Sequence, residues 1–250
     1  MAALKRWVLA AGLSLGLIWS VVVSSSMPSW WDPSKSCFDK LGPSVGPDAT
    51  VHTSWFPPSA TCDFGGGDVR DYLSTTNSVL LSITGILVLT LTAVGIVLTL
   101  RTLKGDPGPT RSADGADLTR RHRNHLLYGA LDVLVVVAIL SAVNVAAIVF
   151  GEIIGGVLFA ITTVAGLAAL ATVLDRHTGP LPSTALASRR RGAAAGGILF
   201  GVIFGATALT GQLPFFRLWA APLAAITYAV VVHVQWTKAA THQSHPASAQ

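Results

Sequence analysis

One carboxylate in this chain sits where a carboxylate is costly. Asp132 lies about two turns inside an apolar run, in the string His125-Leu126-Leu127-Tyr128-Gly129-Ala130-Leu131-Asp132. An ionisable group inside a membrane-length segment is expensive, and its common uses are proton or ion transfer, ligand binding, or pairing with another polar group between helices. On a helix advancing about 100° per residue, Tyr128 and His125 share the face of Asp132. His233 falls near the same side of a second apolar run, and Arg101 ends a third. Asp132, His125 and His233 are therefore the candidate intramembrane polar site. The competing and favoured reading is structural: a polar clamp between helices, or a carboxyl kept protonated by desolvation.

Other chemistry is thinner. His125, His177 and His233 all fall at same-side ends of apolar runs, and two such histidines can ligate a haem between helices. Interfacial histidines are far commoner than haem ligands, so no cofactor is expected. His122 and His125, three apart, can reach one metal ion. Their neighbours Arg120, Arg121 and Arg123 favour anionic headgroups instead, and no metal is expected. Asp63, Asp68 and Asp71 surround three glycines, but the spacing does not match a calcium loop and they read as solvated turn acids. No nucleotide loop, zinc-protease motif, nucleophile elbow or pair of catalytic carboxylates appears, so an enzyme is not expected.

Elements able to position such residues follow from composition. The chain has 250 residues, 51% hydrophobic and 12% charged, with a mean hydropathy of +0.59. The apolar residues fall in blocks long enough to cross a bilayer. The expectation is an all-α membrane protein, a bundle of about six transmembrane helices. The spans are 1–23, 78–100, 126–150, 157–174, 193–211 and 218–236, with a tight hairpin at 151–156 and basic linkers at 101–125 and 175–192. The first reads as a retained anchor rather than a signal peptide, with Gly12, Gly16 and Ser20 forming a small-residue packing face. Residues 237–250 read as a disordered tail. A pI near 9.6 invites nucleic acid. The cations lie beside the apolar blocks without a recognition motif, and no nucleic-acid partner is expected.

Counting Lys and Arg by side gives the orientation. With the N-terminus inside, thirteen of the 17 face the cytoplasm; Lys35, Lys40, Arg70 and Arg217 lie outside. That asymmetry predicts an N-in, C-in protein of the cell (plasma) membrane, its basic linkers against anionic headgroups.

Residues 24–77 form the one segment long enough to build a module outside the bilayer. They hold six of the 13 prolines, both cysteines, and Trp30, Trp31 and Trp55. Cys37 and Cys62 fall on the oxidising side and are expected to pair. Closing a loop of about 26 residues stabilises the module by about 3–4 kcal/mol in the chain-entropy model. The stretch 51–56 alternates in a β-prone way, 57–59 turns, and 61–72 reads as a β-hairpin around a glycine loop. Trp30, Trp31, Trp55 and Phe56 are a candidate partner surface, although bilayer-surface or helix-end contact is the commoner use of such rings.

The run Thr53-Ser54-Trp55-Phe56-Pro57-Pro58-Ser59-Ala60-Thr61-Cys62-Asp63-Phe64, with an upstream cysteine and a following Gly/Asp turn, resembles a loop of uncharacterised multi-pass membrane proteins of actinobacteria. The Ala/Val/Leu/Gly-rich spans are similar to theirs as well. The resemblance covers about forty residues and implies location and architecture, without an activity.

Packing signals exceed chemical ones. Gly197, Gly201 and Gly205 repeat every four residues, as do Ala138, Ala142 and Ala146. Such faces allow close helix approach, in a compact bundle or a homo-oligomer. The weight of the residues favours a non-catalytic accessory, scaffold or signalling membrane protein, with a membrane-protein partner or a second copy. A transporter or channel using Asp132 is the alternative, and a membrane enzyme or haem protein the third.

Overall fold

The computed structural model describes residues 2–29, 31–41 and 49–243. Trp30 and the last seven residues of the expected tail lie outside them. The elements are α1 (Ala2–Ser26), α2 (Pro33–Leu41), β1 (Thr50–Trp55), β2 (Pro58–Asp63), β3 (Val69–Asp71), α3 (Thr75–Thr102), α4 (Leu118–Thr178), α5 (Ala185–Leu209) and α6 (Ala220–Gln243). Among the described residues six helical stretches are long and apolar enough to cross a membrane, which makes this a multi-pass membrane protein by length and composition. The last helix continues to Gln243, so 237–243 are helical where a disordered tail was expected.

The chain divides into two compact units, one of Met1–Leu98 with Ala147–Leu158, the other of Thr99–Ala146 with Phe159–Gln250. Both draw on α4, whose 61 residues carry helical hydrogen bonding without a break. A straight helix of that length would span about 90 Å. Yet Arg121 Nε donates to Gly179 O at 2.7 Å, so the chain reverses within the run. The reversal is tight. A Cβ built on Gly155 would collide with the carbonyl oxygen of Ala147, eight residues earlier and about 12 Å away in a straight helix. The expected hairpin at 151–156 thus exists as a reversal, but one formed inside a helical run rather than by a loop, and only a residue without a side chain fits its inner side.

In the first unit α1 and α3 run antiparallel at close range. Glycine lines the contact: Gly95 against the backbone of Leu9, Gly12 against that of Thr92, and Gly85 against the Trp19 ring. Gly16 meets Leu158, and Ser20 Oγ would lie 2.8 Å from a Cβ on Gly151. The small face of the first helix, Gly12, Gly16 and Ser20, is its contact face. Trp19 Nε1 also donates to Leu81 O at 2.9 Å, the acceptor a buried indole N–H needs.

A cap closes this unit. Its Cys37–Cys62 disulfide is formed. Helix α2 was not foreseen, although its start is marked: Asp32 Oδ1 accepts from Lys35 N at 3.0 Å, and Pro33 occupies the first helical position. The strands form an antiparallel meander in the order β1-β2-β3, with β1 on the β-prone stretch 51–56 and β2 and β3 making the hairpin around the glycine loop. Gly65, Gly66 and Gly67 join β2 to β3 at φ of 81°, 64° and 89°, which side chains rarely adopt. Cys37, Ala49 and Cys62 form a small core with Val51 and Tyr72 against it; Ala60, Trp55 and Leu73 pack on Trp19, Val23 and Met27 at the helix ends.

The second unit packs the two arms of α4 with α5 and α6. Gly192 and Gly196 bring α5 onto Thr172 and Ala168 of the second arm, and Gly129 admits the Tyr228 ring from α6. These are not the small residues singled out by their repeat. A Cβ on Gly197, Gly201 or Gly205 would meet nothing within 4 Å, and Ala142 and Ala146 are exposed, with Ala138 half-buried. The repeats lie on outward faces, so close packing inside the chain is not their role; the inward glycines sit one residue or more off each stripe.

Two outcomes test these packing arguments. Gly155→Ala is expected to lower the thermal midpoint in detergent by the equivalent of about 1–3 kcal/mol, while Gly156→Ala, whose Cβ meets only Ile148 at 3.7 Å, leaves it unchanged. Replacing Cys37 and Cys62 together by serine should cost the cap about 3–4 kcal/mol, read as faster limited proteolysis of the cap with helical circular dichroism retained.

Candidate functional site

A dense polar cluster lies at the basic end of the second unit, centred on Asp175. Asp175 is 2% exposed at the end of α4. Arg191 of α5 grips it with both arms, Nε to Oδ1 at 2.8 Å and Nη2 to Oδ2 at 2.9 Å, and Nη2 also donates to Ser183 Oγ at 2.6 Å. A forked guanidinium satisfies a buried carboxylate in a way a point charge does not. A signal was present: Asp175 is the only acid after Glu152, in a stretch with six Lys and Arg.

The other arginines here bind main-chain oxygens at helix ends. Arg121 donates to Gly179 O and Arg176 O, and Arg111 donates to Arg176 O and, at 2.8 Å, to Ser188 Oγ. Arg189 donates to Thr102 O at 3.2 Å and Arg190 to Leu103 O at 3.0 Å. The last carbonyls of a helix lack partners and carry partial negative charge, so cations there both fill hydrogen bonds and oppose the dipole. Arg111 and Ser183 also exchange main-chain hydrogen bonds, tying one linker to the other. Arg101, Lys104, Arg120, Arg123, Arg190 and Lys238 remain exposed.

Beside this lies a triad of rings. His125 is 1% exposed. Its Nδ1 lies 3.2 Å from Trp236 Nε1 and its Nε2 lies 3.0 Å from Tyr228 Oη. An indole N–H can only donate, so Nδ1 accepts and the proton of a neutral imidazole sits on Nε2, donating to Tyr228. Both nitrogens are engaged, which leaves His125 no lone pair for iron. His177 and His233 are exposed, so the three histidines do not converge on a haem pocket. His122 stacks on Trp236 at 4.8 Å and faces His233 at 6.0 Å, along a cleft of about 270 Å³ walled by Leu118, Pro180 and Leu181. Among the described residues no group of three His, Cys, Asp or Glu is placed to hold a metal ion.

The expected site does not assemble. Asp132 is exposed, as is Tyr128, while His125 points inward. The buried face of this arm runs through His125, Gly129, Val133, Val137 and Ser141, every fourth residue. That spacing drifts about 40° per step, carrying the contact face away from Asp132. Asp132 makes no hydrogen bond or ion pair with a described residue, and His233 lies with His122 instead. In the cap, Trp31 is 78% and Phe56 50% exposed, while Trp55 is half-buried against the α1 end.

This arrangement can hold linkers and helix ends together, and Ser183 and Ser188 in it are bonded to arginines. Comparison with protein-family models, with curated proteins and with solved structures finds no match in any of the three.

Breaking the buried pair is the direct test of the cluster. Asp175→Asn and Arg191→Ala should each destabilise the protein by about 3–5 kcal/mol, measured by unfolding in detergent. The double variant should cost less than the two together, and Arg191→Lys should not restore the wild-type midpoint.

Proposed function

We propose that the chain is a non-catalytic accessory, scaffold or signalling component of the plasma membrane, which engages another membrane protein along the Asp132 face of its third span. The basic end and both termini are cytoplasmic in this reading, and the disulfide-closed cap lies outside. The lopsided Lys and Arg count supports that orientation. So does the disulfide, which persists in oxidising compartments. Exposed cations such as Arg101, Lys104, Arg120 and Arg123 then meet anionic headgroups, at about 1 kcal/mol each.

One observation carries the reading: Asp132 is turned outward from an apolar span, with no hydrogen-bond or ion-pair partner among the described residues. A carboxylate facing hydrocarbon costs about 2.5–3.5 kcal/mol near the middle of a span. A polar or basic group on a neighbouring helix removes that cost, and Tyr128, exposed one turn away, adds a second hydrogen-bonding group to the same face. Transport has less support. Three of the polar side chains turned inward serve the protein's own backbone: Ser141 Oγ donates to Val137 O, Thr207 Oγ1 to Ile203 O, and Asn144 Oδ1 accepts from Phe216 N at 2.7 Å.

Crosslinking of intact membranes, read by mass spectrometry, tests this. The wild-type chain should yield a stoichiometric membrane partner through the third span. Asp132→Leu should leave protein level and thermal midpoint unchanged and reduce that adduct by roughly tenfold or more, the scale of a lost intramembrane polar contact. Absence of any adduct, with substrate-dependent flux in liposomes abolished by Asp132→Asn, would replace this reading with transport.

A further inference from the structure

The arginine cluster at the basic end of the second unit holds more positive charge than its one carboxylate can offset. Helix α4 ends two residues before Pro180. Proline has no N–H, so Arg176 O loses the partner that a continuing helix would supply. Two guanidiniums take its place: Arg111 and Arg121 both donate to Arg176 O. Arg111 is held from the linker by the main-chain hydrogen bonds it exchanges with Ser183, at 2.8 and 3.2 Å. Arg121 is held by Gly179 O at 2.7 Å. Two cations on one oxygen repel each other, and Arg121 lies in the field of Arg111 as well as of Asp175.

Asp175 does not relieve that repulsion, because both of its oxygens are engaged by Arg191. Arg111, Arg121 and Arg191 set three positive charges against the single negative charge of Asp175. The carbonyl end of α4 adds about half a negative charge, which leaves an excess of about one and a half positive charges. Donors are in excess too. Each guanidinium carries five N–H groups. Arg111 uses two nitrogens, on Arg176 O and Ser188 Oγ, and Arg121 uses two, on Gly179 O and Arg176 O. Arg111 Nε and Arg121 Nη1 have no acceptor among the described residues. Neither is closed off from the surroundings, as Arg189 Nε is.

We infer that Arg111 and Arg121 together bind one phosphomonoester group, carried by a lipid headgroup or by a soluble molecule. At neutral pH such a group bears about −1.5 to −2 charges and three acceptor oxygens. Those match the excess charge and the unused donors of the pair. A phosphodiester, with one charge and fewer free oxygens, matches them less well. Guanidiniums fork onto phosphate oxygens, where an ammonium acts only as a point charge. An anion between the two side chains replaces their mutual repulsion by two attractions. Contacts with the chain hold both side chains in place beforehand, so little conformational freedom is lost on binding. The inference concerns this cluster alone and is independent of Asp132.

The test uses the full chain in phosphatidylcholine nanodiscs, treated with phenylglyoxal, which modifies accessible guanidiniums, and read residue by residue by mass spectrometry. Phosphatidic acid in the bilayer, phosphatidylglycerol in the bilayer and soluble glycerol 3-phosphate are compared at equal ionic strength. A phosphomonoester should slow modification of Arg111 and Arg121 by about tenfold or more, while exposed Arg101 and Arg123 respond alike to the two anionic lipids. Protection by glycerol 3-phosphate, with or without phosphatidic acid, assigns a soluble source; protection by phosphatidic acid alone assigns the headgroup. Arg121→Lys keeps the charge and loses the fork, so it should weaken the protection of Arg111. Should that variant misfold, the wild-type pattern decides alone. Equal protection of Arg111 and Arg121 by phosphatidylglycerol, or none by either phosphomonoester, overturns the inference.

Discussion

A helix that crosses hydrocarbon must satisfy its own main chain, and the places where it cannot are its ends. In this protein the ends at the basic side are closed by arginines donating to carbonyls: Arg189 and Arg190 on α3, Arg111 and Arg121 on α4. An unpaired main-chain group in a low-dielectric setting costs several kcal/mol, so these contacts decide where each helix stops and which linker lies beside it. The Asp175–Arg191 pair is the anchor of the set. It joins the last turn of α4 to the first turns of α5, and Ser183 of the intervening linker is held by the same guanidinium. The cations that record orientation in a membrane protein are here also the side chains that finish its helices.

The interior follows a second constraint. Lipid tails are as apolar as leucine, so helices gain little by burying apolar surface against one another and associate through close contact. Gly12, Gly85 and Gly95 in one unit, and Gly129, Gly192 and Gly196 in the other, are the points where a side chain on the glycine would strike a neighbour. Gly155 belongs to this class in an extreme form, because its neighbour is the backbone of its own helical run. The cap meets the same shortage of core differently. A few buried residues around Cys37 and Cys62 are held by a covalent bond and by contact with the helix ends, as small modules require.

Polar residues in apolar helices divide by direction. Several facing inward are matched, as with His125 between Tyr228 and Trp236, and Asn144 against the Phe216 amide, while Thr163 Oγ1 is buried with no hydrogen-bond partner. Asp132 faces outward and is unmatched among the described residues. The outward stripe of Gly197, Gly201 and Gly205 is a further surface prepared for close approach.

Much of the architecture was legible from residue order alone. Six apolar blocks of bilayer length, the basic linkers, the paired cysteines and the β-prone module needed only periodicity and composition, since hydrophobic length and cysteine count act locally along the chain. The polar site was not legible. Helical spacing placed His125 and Asp132 on one face, but spacing cannot say which face meets a neighbour, and a contact drifting with every fourth residue turned His125 in and Asp132 out. The glycine repeats are open in the same way: a stripe marks where approach is allowed, and within the chain Gly197, Gly201 and Gly205 meet no neighbour. Asp175 escaped notice because its meaning depends on Arg191, 16 residues away and on another helix. Sequence by itself determined which segments leave water and on which side their charges gather; rotation of each helix about its axis, and with it every pairing of polar groups, was decided only when the helices met.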